Sequence, residues 1–215
     1  MTKGKSRSPS SRDTYRHGDL RCALLEAGIA LARAGGPDAI VLREATRRAG
    51  VVPNAAYRHF ASRQDLLLAV RAYALSQLAI AMETEIAALK GAPDTPEFAR
   101  GCLRAVGIGY LRFAHAEPGL FHTAFSLPLD DGPQPDPARA GHSGLNPFQL
   151  LGVALDRMVD AGVLPADRRS EAEYLAWSAV HGLAVLFTRG PLRRLTDAQR
   201  SALGMRVVNM VEKGL

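Results

Sequence analysis

The sequence predicts an all-α fold of about nine helices, and three observations support this prediction. Apolar residues recur at helical spacing in one segment after another, and stretches containing Gly or Pro separate these segments. No segment shows the alternating apolar and polar pattern of a half-buried strand, and no internal repeat is visible. With 215 residues, 47% of them hydrophobic, the chain is long and apolar enough to bury a substantial core.

The first three predicted helices follow one another closely near the N-terminus. A helically spaced apolar stripe predicts the first helix over 19–34, and it comprises Leu20, Leu24, Ala27, Gly28 and Leu31. Gly and Pro at 35–37 end this helix. Leu42, Ala45 and Ala49 share one face of a second helix over 42–49. Gly50 suits a tight corner, and Pro53 suits the first turn of a third helix over 53–60.

The second and third of these helices have the outline of a helix-turn-helix, because a short turn containing Gly joins them. The outward residues of the second helix are Arg43, Arg47 and Arg48. The third helix presents Asn54, Ala55, Arg58 and His59, a surface with almost no negative charge. This pattern indicates a surface that reads nucleic acid. An ordinary corner of a helical bundle would show the same helix-Gly-helix pattern, so the pattern alone leaves both interpretations open.

The distribution of charge favours the nucleic-acid interpretation. The chain has a net charge of +6, and residues 1–63 contain 12 Lys and Arg against 5 Asp and Glu, whereas residues 64–215 contain 15 against 16. The basic excess therefore lies on the segment with the helix-turn-helix, where it would attract a polyanion. The alternatives are a soluble basic tail without a partner, or a helical scaffold that this tail tethers to nucleic acid without sequence preference.

Six further helices are predicted along the rest of the chain. They run over about 65–89, 95–115, 118–125, 147–161, 167–190 and 197–211. Ser62 is the expected N-cap of the first of them, with Asp65 three residues later in an acidic variant of the capping box. The stretch 126–146 is rich in Pro, Gly and Asp and is expected to be a mobile loop, although loops of this length are also often functional.

Several classes of site and location are not indicated. Cys22 and Cys102 lie far apart on apolar helical segments, which is typical of reduced core cysteines and not of a disulfide or zinc site. No metal-ligand spacing, phosphate-binding Gly loop or nucleophile motif is present, so we expect neither a metal, a cofactor nor an enzyme. The N-terminus lacks the apolar core of a secretory signal, and no uninterrupted apolar run approaches 18 residues. We therefore expect a cytoplasmic protein that does not cross a membrane.

The N-terminal third resembles the tetracycline-repressor (TetR) family of bacterial transcription regulators. The similar residues are YRHGDLRCALLEAG at 15–28, the Gly-Gly-Pro break at 35–37, LREATRRAGV at 42–51 and YRHFASRQDLL at 57–67. Two positions depart from the family pattern. Val52 stands where the family usually has Ser or Thr before the third helix, and Ala56 stands where a larger apolar residue is usual. The first change removes an N-cap that is typically worth ~1 kcal/mol.

The resemblance implies a homodimer that binds double-stranded DNA at a palindromic operator, with each third helix in the major groove. It places Arg43 and Thr46 of the second helix towards the DNA, and Asn54 and Ala55 of the third helix near base edges. It places Tyr57, Arg58, His59 and Arg63 at phosphates and groove walls, and Arg16 and His17 at the flanking backbone. Lys3, Lys5, Arg7 and Arg12 belong to the predicted disordered arm, and we expect them to reach further phosphates.

The C-terminal part resembles a narrower branch of the same family, in which a Trp…His-Gly signature lies in the ligand-binding domain. Here the signature reads AWSAVHGLA, and YLRFAHAEPGLFHTAF at 110–125 is similar too. The branch implies an unidentified small-molecule inducer bound in a cavity. The candidate cavity residues are Tyr110, Phe113, Phe121, His122, Phe125, Phe148, Trp177 and His181. Trp177 and His181 share one helical face, so they either line this cavity or pack at the dimer interface.

These considerations predict three segments. Residues 1–14 form a disordered basic arm, residues 15–62 form a helix-turn-helix DNA-binding domain, and residues 63–215 form a helical domain for ligand binding and dimerisation. The function expected from the resemblance is a repressor that a small apolar ligand releases from its operator. An activator of the same fold remains an alternative.

Overall fold

The structure, a computed structural model, describes residues 17–127 and 136–215, and these residues form nine α-helices and no strand. The helices are α1 His17–Gly35, α2 Leu42–Arg48, α3 Pro53–Ala56, α4 Arg63–Ala87, α5 Pro96–Ala116, α6 Pro118–Ala124, α7 Pro147–Asp160, α8 Ala172–Thr188 and α9 Asp197–Gly214. The all-α prediction is confirmed, with every predicted helix present. The predicted arm 1–14, Arg16 and part of the predicted loop, 128–135, lie outside the described residues.

Two helices differ from the prediction at their ends. α3 is a single turn, because the chain leaves helical geometry after Ala56 and continues as turns to Phe60. α8 begins at Ala172 and not near Asp167, because Ala166–Arg168 forms a separate 3₁₀ turn. Glu171 then adopts a left-handed conformation with φ 62°, which breaks the continuity between this turn and α8.

The longest helix, α4, connects the three-helix head formed by α1–α3 with the rest of the bundle. Its start is capped as predicted: the Ser62 hydroxyl accepts the N–H of Asp65 at 3.1 Å, and the Asp65 carboxylate accepts the N–H of Ser62 at 3.2 Å. With 25 residues, α4 is about 37 Å long. By length and composition it is the one described helix that could span a membrane, but 56% of its apolar window is buried in the bundle. Core helices of globular proteins are often equally long and apolar, so these properties are weak evidence for a membrane span.

A second contact joins the head to the bundle where α6 abuts the end of α1. A Cβ atom added to Gly119 would lie 2.1 Å from the carbonyl oxygen of Ala32, so only glycine allows this approach. Beside it, Arg33 Nε donates to both carboxylate oxygens of Glu117, at 3.1 and 3.0 Å. The head is therefore attached at two places, through α4 and through the α1–α6 contact.

The described part of the predicted mobile loop, 136–146, is packed on α4. The Glu83 carboxylate accepts the N–H groups of His142 and Ser143 at 2.8 and 2.9 Å, and the Ser76 hydroxyl donates to the Ala140 carbonyl at 2.7 Å. Burial alone would raise the pKa of Glu83, but the hydrogen bonds from Ser143 and His142 outweigh it and lower this pKa below its usual value. In the structure, the Glu83 carboxylate and the Ser76 hydroxyl on α4 therefore both bind backbone groups of this part of the loop.

Candidate nucleic-acid interface and ligand cavity

The turn between α2 and α3 has the geometry that its glycine predicts. Gly50 lies in the left-handed region with φ 68°. The N–H of Gly50 donates to the carbonyl of Arg47 at 3.3 Å, and the N–H of Val51 donates to the carbonyl of Thr46 at 3.1 Å. These two bonds form a Schellman motif, which ends α2 and turns the chain into α3. The helix-turn-helix corner is therefore encoded locally.

The two helices of this corner divide their residues between a core face and an outer face. Leu42, Ala45 and Ala56 are buried, and Ala56 is completely inaccessible, so the small residue at this departure from the family pattern still packs in the head. The predicted DNA-facing residues Arg43, Asn54, Tyr57 and Arg58 are exposed, while Ala55 and His59 are half-buried. Val52 is also exposed at 68%. The outer face thus presents most of the predicted contacts together.

Two predicted DNA contacts have other partners. Thr46 is only 3% exposed, and its hydroxyl donates to the carbonyls of Leu42 and Arg43 at 3.0 and 2.7 Å. The resemblance places Thr46 towards the DNA, but in the structure it is buried on the same side of the helix as Leu42, one turn earlier. Arg63 is exposed, but its guanidinium donates to the carbonyls of Ile40 and Pro37 at 2.7 and 2.8 Å. It holds the turn before α2. His17 is the first residue of α1.

One acidic residue, Glu44, lies among the arginines of α2, and the predictions from the sequence did not include it. Glu44 accepts from Arg47 Nε at 2.8 Å and from Arg47 Nη2 at 2.7 Å, and from Arg48 Nε at 3.1 Å. These hydrogen bonds, first from Arg47 and then from Arg48, lower the pKa of Glu44 to about 2. The i+3 and i+4 spacing of the three residues could have identified this cluster.

A narrow apolar cavity lies inside the bundle between α4, α5, α7, α8 and α9. Its free volume is about 60 Å³. Most lining residues are aliphatic, among them Leu75, Met82, Leu103, Val106, Leu151, Ala176, Val180, Val208 and Val211. Arg139, Asn146 and Pro147, from the segment bound to Glu83 and the start of α7, complete the wall. The cavity is thus closed on one side by the segment that α4 holds in place.

Four of the eight predicted cavity residues line this space, namely Tyr110, Phe125, Phe148 and Trp177. The other four do not. Phe113 lies one turn beyond Tyr110 but borders a different groove, together with Ile80 and Leu120. Phe121 is fully buried behind the aromatic wall, with ring centroids 5.7 Å from Tyr110 and 5.2 Å from Phe125. His122 and His181 pack against Phe121 in the same second layer.

Trp177 and His181 of the Trp…His signature both form a hydrogen bond with the hydroxyl group of Tyr110. Trp177 Nε1 donates to the Tyr110 hydroxyl at 3.3 Å, and this hydroxyl lies 2.6 Å from His181 Nδ1. Burial raises the pKa of Tyr110, so the hydroxyl remains protonated, and burial lowers the pKa of His181. The Tyr110 hydroxyl and the His181 imidazole therefore share one hydrogen bond, and the tautomer of the imidazole sets which of the two groups donates. Trp177 lines the cavity while His181 packs behind it, and together they tie α5 to α8.

Mild acid is expected to destabilise the fold through His122. Burial, with smaller effects from Arg189 and His181, lowers the pKa of His122 from 6.5 to about 4. An unfolded chain binds a proton there near pH 6.5 and the folded chain only near pH 4, so stability is lost as the pH falls between these values. Thermal unfolding followed by circular dichroism at pH 7 and 5 measures this loss. His122→Gln should reduce the difference, and an unchanged difference would contradict the assignment.

The described residues also contain no group of three or more His, Cys, Asp and Glu side chains placed to hold a metal ion. The two cysteines are unpaired, Cys102 buried and Cys22 exposed. The features with an evident physical use are thus the cationic outer face of the helix-turn-helix and the apolar cavity.

Family models match both the N-terminal and the C-terminal part of the chain. Residues 24–70 match the model for bacterial regulatory proteins of the tetR family, and residues 103–210 match the model for the tetracyclin repressor-like C-terminal domain. A protein of unknown function from Rhodococcus sp. RHA1 is 25% identical, with a TM-score of 0.72 over 95% of this chain and 99% of that one. The TetR family transcriptional regulator PfmR from Thermus thermophilus is 19% identical, with a TM-score of 0.58 over 89% of this chain and 95% of that one.

No curated protein matches the sequence significantly. The C-terminal family model alone covers half of the chain, and the N-terminal model covers the helix-turn-helix whose geometry is described above. Proteins of this family act by binding DNA and not by catalysing a reaction. The chain therefore belongs to the tetracycline-repressor (TetR) family of DNA-binding transcriptional regulators.

Proposed function

We propose that this protein is a cytoplasmic homodimeric repressor, which binds a palindromic operator and is released from it by a small apolar ligand. The observation that supports this proposal most directly is the course of α4. Its first turns pack Leu66 and Val70 in the core shared with the head, and its later turns place Leu75 and Met82 on the cavity wall. Any ligand that displaces α4 in the cavity therefore acts on the helix that holds the DNA-binding head.

The proposed domain division follows from the same arrangement. Residues 15–62 form the DNA-binding head, residues 63–215 form the ligand-binding and dimerisation domain, and residues 1–14 extend the basic region. The α1–α6 contact at Gly119 supplies a second route by which a change in the larger domain reaches the head. We infer that the two domains move as coupled units, because both connections are tightly packed.

For the DNA contact, the exposed residues of α2 and α3 supply two candidate base readers. Arg43 suits the O6 and N7 acceptors of guanine, and Asn54 suits adenine. Tyr57, 56% exposed, and Arg58, also exposed, follow α3 directly and are the proposed phosphate contacts. Because few side chains can read bases, we expect the flanking phosphate contacts to supply much of the affinity.

The proposed dimer uses the outer face of α8. This helix is apolar nearly all round, and its exposed side still includes Leu175, Val185 and Leu186. Ser178 and Gly182 on the same side are small and would let a second copy approach closely. A face of this composition is costly to leave in water, and a copy of the same face covers it in an isologous two-fold interface. Two-fold symmetry then predicts the palindromic operator.

The proposed ligand is uncharged and apolar. The hydroxyl of Tyr110 and the indole N–H of Trp177 are already paired with each other, so the aromatic end of the cavity has little to offer a polar group. Burying a charge there without a partner would be unfavourable. The free volume of about 60 Å³ is well below the ~300–1,000 Å³ of typical ligand sites. A ligand must therefore bind a state with a wider cavity, and so it shifts the population towards that state.

The experiment that tests sequence-specific DNA binding is operator selection followed by substitution of the base readers. Duplexes selected from a random library should be palindromic. Arg43→Ala and Tyr57→Phe should weaken binding to the selected duplex, by about 5- to 150-fold for Arg43 if it makes a bidentate base contact worth ~1–3 kcal/mol. Lys90→Ala removes a positive charge three residues beyond the C-terminal end of α4 and is the matched control.

Gel-shift titration and circular dichroism together decide the outcome. Loss of affinity with an unchanged helical spectrum supports the proposal. Unchanged affinity in both variants, or equal affinity of the wild type for selected and random duplexes, contradicts the proposed operator recognition.

A further inference from the structure

The outer face of α2 contains an ion cluster in which one carboxylate engages two arginines. The Arg47 guanidinium reaches both oxygens of Glu44 through Nε and Nη2, at 2.8 and 2.7 Å, and Arg48 Nε lies 3.1 Å from the same carboxylate. All three residues are at the surface: the side chains of Arg47, Arg48 and Glu44 are 73%, 39% and 33% exposed. The cluster therefore faces solvent, where a polyanion can compete with it.

The position of the cluster is next to the proposed base readers. Arg47 follows Arg43 by four residues, so the two side chains project from one face of α2, one helical turn apart. A surface that brings Arg43 to the DNA therefore brings Arg47 near a phosphate as well. Glu44 lies between them in sequence and would face the same backbone with a negative charge.

Other cations of the head also have internal partners. Arg63 donates to the carbonyls of Ile40 and Pro37, and Arg33 pairs with Glu117. Arg21 lies over the ring of Phe60, with its Cζ atom 4.9 Å from the ring centroid. The basic excess of the head thus overstates the charge that its described residues can offer to phosphates without exchanging a partner.

We propose that Glu44 is a specificity-determining residue, which holds Arg47 and Arg48 back from phosphates and so lowers affinity for arbitrary DNA more than affinity for the operator. The proposal rests on the operator recognition proposed above. Binding to arbitrary DNA depends almost entirely on the number of phosphates that cations neutralise. Such complexes can shift along the duplex until any available cation meets a phosphate. At the operator, base contacts fix the register of the protein on the duplex. Arginines released from Glu44 therefore increase the affinity there only if a phosphate lies within their reach.

Glu44 and the DNA phosphates compete for Arg47 and Arg48, and the energies are similar enough for the effect of Glu44 to be measured. Exposed ion pairs are weak, so a phosphate can displace Glu44 at a modest cost. Because hydrogen bonds from both arginines keep the pKa of Glu44 far below neutrality, the carboxylate remains charged under the conditions of a binding experiment. Replacement by the isosteric amide therefore removes a charge that is present, and glutamine retains the helix-forming tendency of the position.

The test is a salt titration of binding to a random-sequence duplex by wild-type protein, Glu44→Gln and Glu26→Gln. Glu26 is the matched control, because it is an exposed acid on α1 of the same head and has the same charge change. Glu44→Gln should bind random DNA about 2- to 10-fold more tightly near 0.1 M salt, and the slope of log K against log[salt] should steepen by about 1 to 2. Glu26→Gln should leave the slope unchanged.

Two further arms complete the test. In the double variant Glu44→Gln, Arg47→Gln, the slope of log K against log[salt] should be shallower by about 1 than in Glu44→Gln alone. The reason is that one of the two released cations is then lost. On the selected operator, Glu44→Gln should gain less than on random DNA, so the ratio of the two affinities falls. Equal slopes for Glu44→Gln and Glu26→Gln, or an equal gain on both duplexes, would overturn the proposal. A wild type without sequence preference would instead refute the proposed operator recognition, while the slopes on random DNA would still show whether Glu44 restrains the arginines.

Discussion

Replacement of Gly182 by arginine is expected to separate the dimer into folded monomers and to weaken operator binding by about 100-fold or more. A Cβ atom added at Gly182 meets no other atom within 4 Å, so the substitution causes no clash inside one subunit. In the proposed dimer, however, it places a long charged side chain in the middle of an apolar contact between two copies of α8. Losing the second half-site removes an avidity that is typically worth ~10²–10⁴-fold.

Sedimentation equilibrium measures the mass, and a gel shift with the selected operator measures the affinity. Gly182→Ala is the matched control, since it adds only a methyl group at the same position and improves helix propensity by up to ~1 kcal/mol. Circular dichroism establishes that the arginine variant is folded. A Gly182→Arg protein that remains dimeric and binds the operator normally would show that this face of α8 is not the dimer interface.

Replacement of Ala176 by valine is expected to narrow the cavity and to weaken the response of the repressor to its ligand by about 5- to 150-fold. Ala176 is 3% exposed and lines the cavity, so the two added methyl groups occupy part of its free volume of about 60 Å³. A ligand would then have to displace packed atoms, at an overpacking cost of ~1–3 kcal/mol, or about 5- to 150-fold in affinity. DNA binding should be unchanged.

Trp177 provides the measurement, because it is the single tryptophan of the chain and lies on the cavity wall. Its fluorescence can be followed during titration with N-phenyl-1-naphthylamine, an uncharged apolar probe that accepts energy from tryptophan. Ala87→Val, at the exposed end of α4, is the control. If the wild type and Ala176→Val bind the probe equally well, the ligand site lies elsewhere. If a carboxylated analogue of the probe binds more tightly than the neutral one, the ligand is not uncharged.

Several features were predictable from sequence because neighbours in the chain produce them. The cap of α4 requires Ser62 and Asp65 three residues apart, and the Schellman turn of the helix-turn-helix requires a glycine at position 50. The predicted outward position of Arg43 was correct for the same reason, since helical periodicity alone opposes it to Leu42 and Ala45. In each case the interacting groups lie within one or two helical turns of each other.

Other features depended on contacts between segments distant in sequence. For these features, some predictions agreed with the structure and others did not. Phe113 and Phe125 are both aromatic residues at helical spacing, yet only Phe125 lines the cavity. The family resemblance placed Thr46 and Arg63 at the DNA, but the Thr46 hydroxyl and part of the Arg63 guanidinium donate to backbone carbonyls. A residue's type and spacing do not show which neighbouring helix it will meet.

By itself, the amino-acid sequence determined the helices, their caps, the helix-turn-helix corner and the concentration of positive charge at the N-terminal end. These properties follow from backbone preferences and from hydrogen bonds between residues a few positions apart. Only the tertiary structure decided that Trp177 and His181 both hydrogen-bond the Tyr110 hydroxyl, that Glu83 binds the 136–146 part of the predicted loop, and how small the cavity is. Each of these features depends on how segments far apart in sequence pack against one another. The physical reason is that small differences in packing change which partners a buried polar group meets and how much volume is left between side chains.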